Sequence, residues 1–179
     1  KIYLEEHPNT NIHVINSLSA GGEVDLIVRK LNQLVAEGLD FDQVVDVITT
    51  YQSKTKLLFV LAKVDNLVKN GRLSKLIGTV VGLLNIRMVG EASKTGTLEL
   101  LQKARGQKKA IKAAFDELIK AGYAGGHITI AHRNNEKFIE QFSALVREKF
   151  AHAMIEVLPT SGLCSFYAEE GGLLMGYEI

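Results

Sequence analysis

The chain has 179 residues, of which 46% are hydrophobic and 23% are charged, as is ordinary for a globular protein. Its formal net charge of +1 argues against bulk electrostatic attraction to nucleic acid or to an anionic membrane. The single cysteine, Cys164, excludes an internal disulfide and a multi-cysteine zinc site and favours a reducing compartment, so we expect a cytoplasmic protein.

The first third of the sequence predicts one strand and two helices. Residues 11–16 (NIHVIN) are predicted to form a strand, and a loop of small residues follows it. Apolar residues at helical spacing begin at Val24, and Gly38 is a suitable stop. Asp40 and Gln43 then have the spacing of a capping box, which predicts a second helix through about residue 53.

The middle of the chain contains its most apolar stretch. Residues 57–62 (LLFVLA) predict a buried strand, and the Asn-Gly pair that ends at Gly71 predicts a turn. Arg72 and Ser74 follow this turn, at the start of a predicted apolar helix over residues 76–84. A cationic corner at a helix start can hold an anion, although a solvated helix start explains the same residues.

The remainder alternates between strand and helix patterns. Two strands at 85–93 and 97–101 are predicted to form an antiparallel hairpin, and a helix that ends before Gly122 follows them. HITIAH predicts a strand, Asn134 or Asn135 caps a further helix, and MIEVL predicts another strand. Two short strands at 163–167 and 173–179, expected to pair with each other, complete an α/β fold with a mixed sheet.

A catalytic constellation cannot be assembled from these residues. Cys164 has no neighbouring histidine and is interpreted as a small buried residue, while His127 and His132 point to opposite faces of one strand and cannot share a metal. We therefore expect no metal site and no cofactor. We place a domain boundary near residue 54, so that residues 1–54 are the remnant of an N-terminal α/β domain whose earlier portion we expect to be missing, and 55–179 form a C-terminal domain.

A gapless motif in the middle of the chain resembles the central signature of the DegV family. The matching residues are Asp65, Leu67, Gly71, Arg72, Leu73, Ser74, Gly82, Leu84, Asn85 and Ile86. The resemblance extends from about His13 to Glu178. It implies a three-layer α/β/α fold, a long-chain fatty acid held in an apolar cleft between two domains, and presentation of that lipid to a bacterial fatty acid kinase. The resemblance thus implies a carrier that leaves phosphorylation to its partner and is not itself an enzyme.

The resemblance also indicates which residues would contact the ligand. Arg105 matches a family arginine near the fatty acid carboxylate, and Tyr167 stands where the family has a histidine beside the same carboxylate. Arg72 and Ser74 match the family turn, where a structural or partner-facing role is as compatible as ligand contact. Two alternatives stay open: an enzyme that binds a phosphorylated small molecule at Arg72 and Ser74, and an interaction module without a lipid.

Overall fold

The computed structural model describes residues 2–73 and 85–179. Its elements alternate between helix and strand for most of the chain, as the sequence predicts. In chain order they are α1 (Ile2–Glu6), α2 (Gly22–Ala36), α3 (Phe41–Gln52), β1 (Thr55–Leu61), α4 (Asp65–Lys69), β2 (Ile86–Ala92), β3 (Leu98–Arg105), α5 (Gln107–Lys120), β4 (His127–His132), α6 (Glu136–Lys149), β5 (Met154–Pro159), α7 (Gly162–Ala168) and β6 (Leu173–Glu178).

The strands form one mixed sheet in the order β3-β2-β1-β6-β4-β5. Neighbours pair antiparallel except β4 and β5, which are parallel. Strand β1 lies inside the sheet between β2 and β6, and its residues from Leu57 to Leu61 are at most 3% exposed. A continuous apolar run fits this position because helices cover both of its faces.

Helices cover both sides of the sheet and create the three layers. On one side, α5 and α6 bury the largest core against the sheet, including Leu118, Phe138, Phe142 and Tyr177. The other side carries α2, with α3 packed on it, and the two short helices α4 and α7. The predicted three-layer α/β/α class with a mixed sheet is confirmed.

Helix α2 packs directly on β6 and β4 because two glycines leave space for its first turn. A Cβ atom on Gly176 of β6 would lie 2.2 Å from the backbone nitrogen of Glu23, and a Cβ atom on Gly22 would lie 2.1 Å from the carbonyl oxygen of Thr129. Helix α2 therefore packs on the same side of the sheet as α4 and α7 and belongs to the same layer. The division at residue 54 stays a prediction.

The local sequence signals are confirmed where the structure describes them. The side chain of Asp40 accepts a hydrogen bond from the backbone N–H of Gln43, and the side chain of Gln43 accepts one from the backbone N–H of Asp40, so the capping box is present. The β2–β3 hairpin forms around Gly96, whose φ is 76°. The helix predicted over residues 76–84 lies outside the described residues.

Three predictions about strands are wrong. Residues 11–16 form no strand, and Val14 is 80% exposed, because no neighbouring strand accepts hydrogen bonds from this segment. Residues 163–167 lie in helix α7. The predicted pairing between 163–167 and 173–179 is therefore wrong as well, and β6 pairs antiparallel with β1 and β4 instead.

Candidate functional site

An apolar cleft of about 590 Å³ lies on the face of the sheet that carries α4 and α7. Its floor is built from alternate residues of β1, namely Leu57, Phe59 and Leu61, because every second side chain of a strand points to the same face. Leu98 of β3 and Leu174 of β6 extend this floor on both sides. The floor is therefore entirely hydrocarbon.

Helix α7 forms one wall of the cleft. Leu163, Cys164, Tyr167 and Ala168 all line it, and their spacing of three and four residues places them on one side of the helix. Leu163 is 65% exposed and stands at the rim. A large apolar side chain at an open rim can contact a ligand that enters the cleft.

Helix α4 holds α7 in place through one asparagine. The backbone N–H of Asn66 donates a hydrogen bond of 2.9 Å to Glu169 Oε1, and Asn66 Nδ2 donates one of 2.8 Å to the carbonyl oxygen of Phe166. Glu169, the first residue of the acidic pair that follows α7, therefore has a structural role. The second residue of the pair, Glu170, accepts hydrogen bonds from Asn134 Nδ2.

The opposite wall is polar and is held by a buried carboxylate. It consists of residues 16–20 and of the hairpin turn at 95–97. Glu23, which is 6% exposed, accepts hydrogen bonds from the hydroxyls of Ser19 and Thr55, the latter at 2.9 Å. This pair of bonds ties the 16–20 segment to the first turn of α2 and to β1.

A cation and an aromatic ring meet at one point on the cleft lining. The guanidinium carbon of Arg72 lies 5.5 Å from the centroid of the Tyr167 ring. Arg72 is exposed and Tyr167 is half-buried, and both line the cleft. A cation over an aromatic face is stabilising, and the planar guanidinium keeps N–H donors at its edge for a carboxylate.

The structure thus brings together two of the four residues predicted for the site, Arg72 and Tyr167. Arg105 is the last residue of β3 and pairs with Ile86 of β2. The side chain of Ile86 packs in the same apolar cluster as Tyr167. Because paired residues of neighbouring strands point to the same face of the sheet, Arg105 lies on the cleft face. It is absent from the residues that line the cleft. The predicted proximity of Arg105 to the ligand carboxylate stays a prediction, and Ser74 lies outside the described residues.

Sequence reasoning missed the contribution of Leu163 and Cys164 because it assigned their segment to a strand. A signal for the helix was present. Ser161 is a favourable N-cap residue, and Leu163, Phe166 and Tyr167 have the i, i+3, i+4 spacing of a helical face. The polar wall at 16–20 carries no comparable local signal.

Two further observations concern the described part of the chain, residues 2–73 and 85–179. No cluster of three or more histidine, cysteine, aspartate or glutamate side chains there could bind a metal ion. None of the helices there has the length and apolarity to cross a membrane.

The comparisons with known proteins agree on one family. The DegV family, described as a family of uncharacterised proteins, matches residues 1–177. A DegV domain-containing protein of Streptococcus gordonii is 78% identical over 179 residues, which are 100% of this chain and 64% of that relative.

Solved structures show the same fold. The crystal structure of the Streptococcus pneumoniae Fatty Acid Kinase (Fak) B3 protein loaded with linoleic acid has a TM-score of 0.97 at 76% identity, over 99% of this chain and 63% of that one. A DegV family protein from Eubacterium eligens loaded with heptadecanoic acid has a TM-score of 0.93 at 37% identity, over 99% of this chain and 64% of that one. This chain therefore spans less than two thirds of the length of these relatives. The match of the family over 177 residues shows that the chain belongs to the DegV family.

Proposed function

We propose that this chain contributes the apolar cleft in which a DegV protein holds a long-chain fatty acid. The observation that carries the proposal is the cleft itself, a hydrocarbon floor of β1, β3 and β6 side chains that reaches a cation at Arg72. Solved relatives loaded with linoleic and heptadecanoic acid support it.

The energetics favour a ligand with a long alkyl chain and one anionic end. Burial of about fifteen methylene groups at ~0.8 kcal/mol each contributes on the order of 10 kcal/mol. A carboxylate, in contrast, loses hydration when it enters the cleft and needs charged or hydrogen-bonding partners in return. Arg72 supplies a cation on this cleft, and the hydroxyls of Tyr167 and of the polar wall at 16–20 and 95–97 can supply hydrogen bonds.

In this proposal the protein is a carrier and the chemistry belongs to a partner. The fatty acid carboxylate, held near Arg72 and Tyr167 and within reach of Arg105, is presented to a fatty acid kinase in the cytoplasm. The Streptococcus pneumoniae relative is named a Fatty Acid Kinase (Fak) B3 protein, which supports this partnership. No catalytic role is assigned to Arg72, Tyr167 or Arg105.

The test compares two aspartate substitutions at equally exposed leucine and valine positions. Leu163 lines the cleft and Val35 lies on α2 away from it, and both are 65% exposed. Binding is measured by displacement of a fluorescent fatty acid, in this chain and in this chain extended with the part of the Streptococcus gordonii relative that it does not match.

We expect Leu163→Asp to weaken oleic acid binding by about tenfold, which is ~1.4 kcal/mol, since it replaces apolar contact by a charge of the same sign as the ligand. Val35→Asp should leave the affinity unchanged. Equal affinities for Leu163→Asp and the parent protein would show that the acyl chain does not occupy this cleft.

A further inference from the structure

A second cavity, of about 510 Å³, lies at the edge of the sheet where β1, β3 and β4 end. These three strands run in the same direction, because the antiparallel strands β2 and β6 separate them in the sheet. Their carboxyl ends therefore meet at one edge, the position at which α/β sheets commonly bind ligands. The cavity has a polar lining, unlike the apolar cleft.

Two long helices begin at this cavity. Helix α5 starts at Gln107 directly after β3, helix α6 starts at Glu136 shortly after β4, and each has 14 residues. Neither N-cap residue, Gly106 or Asn135, makes a side-chain hydrogen bond that caps its helix. The N–H of Phe138 donates to the carbonyl oxygen of Asn135, which leaves the N–H groups of Glu136 and Lys137 and the first-turn N–H groups of α5 as donors. Both helix dipoles place positive charge at the cavity.

Three basic side chains line the same cavity. Lys63 follows β1, Lys137 stands in the first turn of α6, and Arg87 extends from β2. Arg87 pairs across the strands with Ala104, which packs in the core beneath α5, so the half-buried Arg87 side chain emerges on the side where α5 and α6 begin.

Two carboxylates also line the cavity and only partly offset these charges. Glu170 accepts hydrogen bonds of 3.1 and 3.2 Å from Asn134 Nδ2 and lies 3.6 Å from Arg133 Nε, so a cation outside the lining already balances it. The remaining charged residues of the lining are one carboxylate, Glu136, and three cations, Lys63, Arg87 and Lys137. The lining is cationic.

One donor in the lining is buried without a partner. Gln107 Nε2 is inaccessible to solvent and makes no hydrogen bond within the described part of the chain. A buried amide N–H without an acceptor is costly, and native structures rarely retain one without a reason. Because Gln107 lines the cavity, rotation of its side chain would bring this N–H to an acceptor-rich ligand there.

We infer that this cavity binds the phosphate group of a small molecule. A phosphate offers several acceptor oxygens and about two negative charges, which match the two helix starts, the amide of Gln107 and the three cations. This inference does not depend on fatty acid binding. The phosphate could belong to free inorganic phosphate or to an organic phosphate ester, and the cavity volume has room for either.

Isothermal titration calorimetry at low ionic strength tests the inference with inorganic phosphate and with AMP, and adenosine serves as the uncharged comparison. Arg87→Gln removes a cavity cation, and Lys137→Gln provides a second such variant on an exposed side chain. Lys112→Gln is the matched control, because Lys112 stands on α5, pairs with Asp116 and does not line the cavity.

We expect at least one phosphate compound to bind, with a loss of affinity of about tenfold in Arg87→Gln and Lys137→Gln and no loss in Lys112→Gln. Binding of inorganic phosphate alone assigns a free ion, whereas tighter binding of AMP assigns an ester. The inference is overturned if neither compound binds at millimolar concentration, if adenosine binds as well as AMP, or if Lys112→Gln weakens binding as much as the cavity variants do.

Discussion

The contact between α2 and β6 predicts a large effect of adding one methyl group at Gly176. The nearest atoms to a Cβ on this residue are backbone atoms, namely the nitrogen and Cα of Glu23 at 2.2 and 2.3 Å and the carbonyl carbon of Gly22 at 2.4 Å. Backbone cannot rotate away as a side chain can, so the first turn of α2 must move by about 1 Å to reach ordinary van der Waals separation.

The cost of Gly176→Ala follows from two terms. Overpacking of a close contact costs about 1–3 kcal/mol. Movement of α2 also disturbs Glu23, which ties Ser19 and Thr55 together, and a weakened buried hydrogen bond adds about 1 kcal/mol. We therefore expect the free energy of unfolding to fall by roughly 3 kcal/mol, together with weaker fatty acid binding, since Ser19 lines the cleft.

Urea unfolding with Gly38→Ala as the control tests this account. Gly38 also has no side chain, but no atom lies within 4 Å of its Cβ position, and only its φ of +80° opposes alanine. That substitution should cost about 1 kcal/mol. If Gly176→Ala costs no more than Gly38→Ala, the close packing of α2 on β6 is wrong.

Two other predictions concern stability alone. Burial, followed by the charge of Glu178, raises the pKa of Tyr123 from 10.0 to about 12. Between these pH values the unfolded chain loses a proton that the folded chain keeps, so the free energy of unfolding should fall by about 1.4 kcal/mol per pH unit from this residue. Tyr123→Phe should flatten the pH dependence measured by urea unfolding across this range, and an unchanged slope would contradict the assignment. Asp40→Ala removes the α3 capping box and should cost about 1 kcal/mol in the same assay. Asp42→Ala, at the second residue of the helix, should cost less; equal costs would argue against the cap.

The elements that the sequence predicted well are those fixed by neighbours along the chain. The capping box at Asp40 and Gln43, the hairpin turn at Gly96 and the amphipathic faces of α2, α5 and α6 each depend on residues within a few positions of one another. Such signals are visible without tertiary structure.

The predictions that failed depend on distant partners. Residues 11–16 alternate as a strand does, yet a strand needs a neighbour to accept its hydrogen bonds, and none is supplied there. Tyr167 was assigned to a strand that would pair with the last one, but β1 and β4 already flank β6 on both sides. Local pattern cannot reveal that both edges of a strand are occupied.

The candidate site shows the same difference between local sequence signals and contacts that only the fold creates. The family resemblance identified Arg72 and Tyr167 separately, and only the fold shows that they are in contact. The second cavity had no sequence signal at all, because Lys63, Arg87 and Lys137 come from three elements that meet only in the sheet. Their convergence follows from strand direction, which residue patterns do not specify.

Extraction of the purified protein with organic solvent, combined with native mass spectrometry, determines whether the cleft holds a fatty acid. The measurement is made on this chain and on this chain extended with the part of the Streptococcus gordonii relative that it does not match. We expect the extended protein to copurify with a long-chain fatty acid, and we expect Leu163→Asp to reduce the bound fraction while Val35→Asp does not. An extended, folded protein without any extractable fatty acid, and with no uptake of oleic acid when it is added, would contradict the assignment of the cleft.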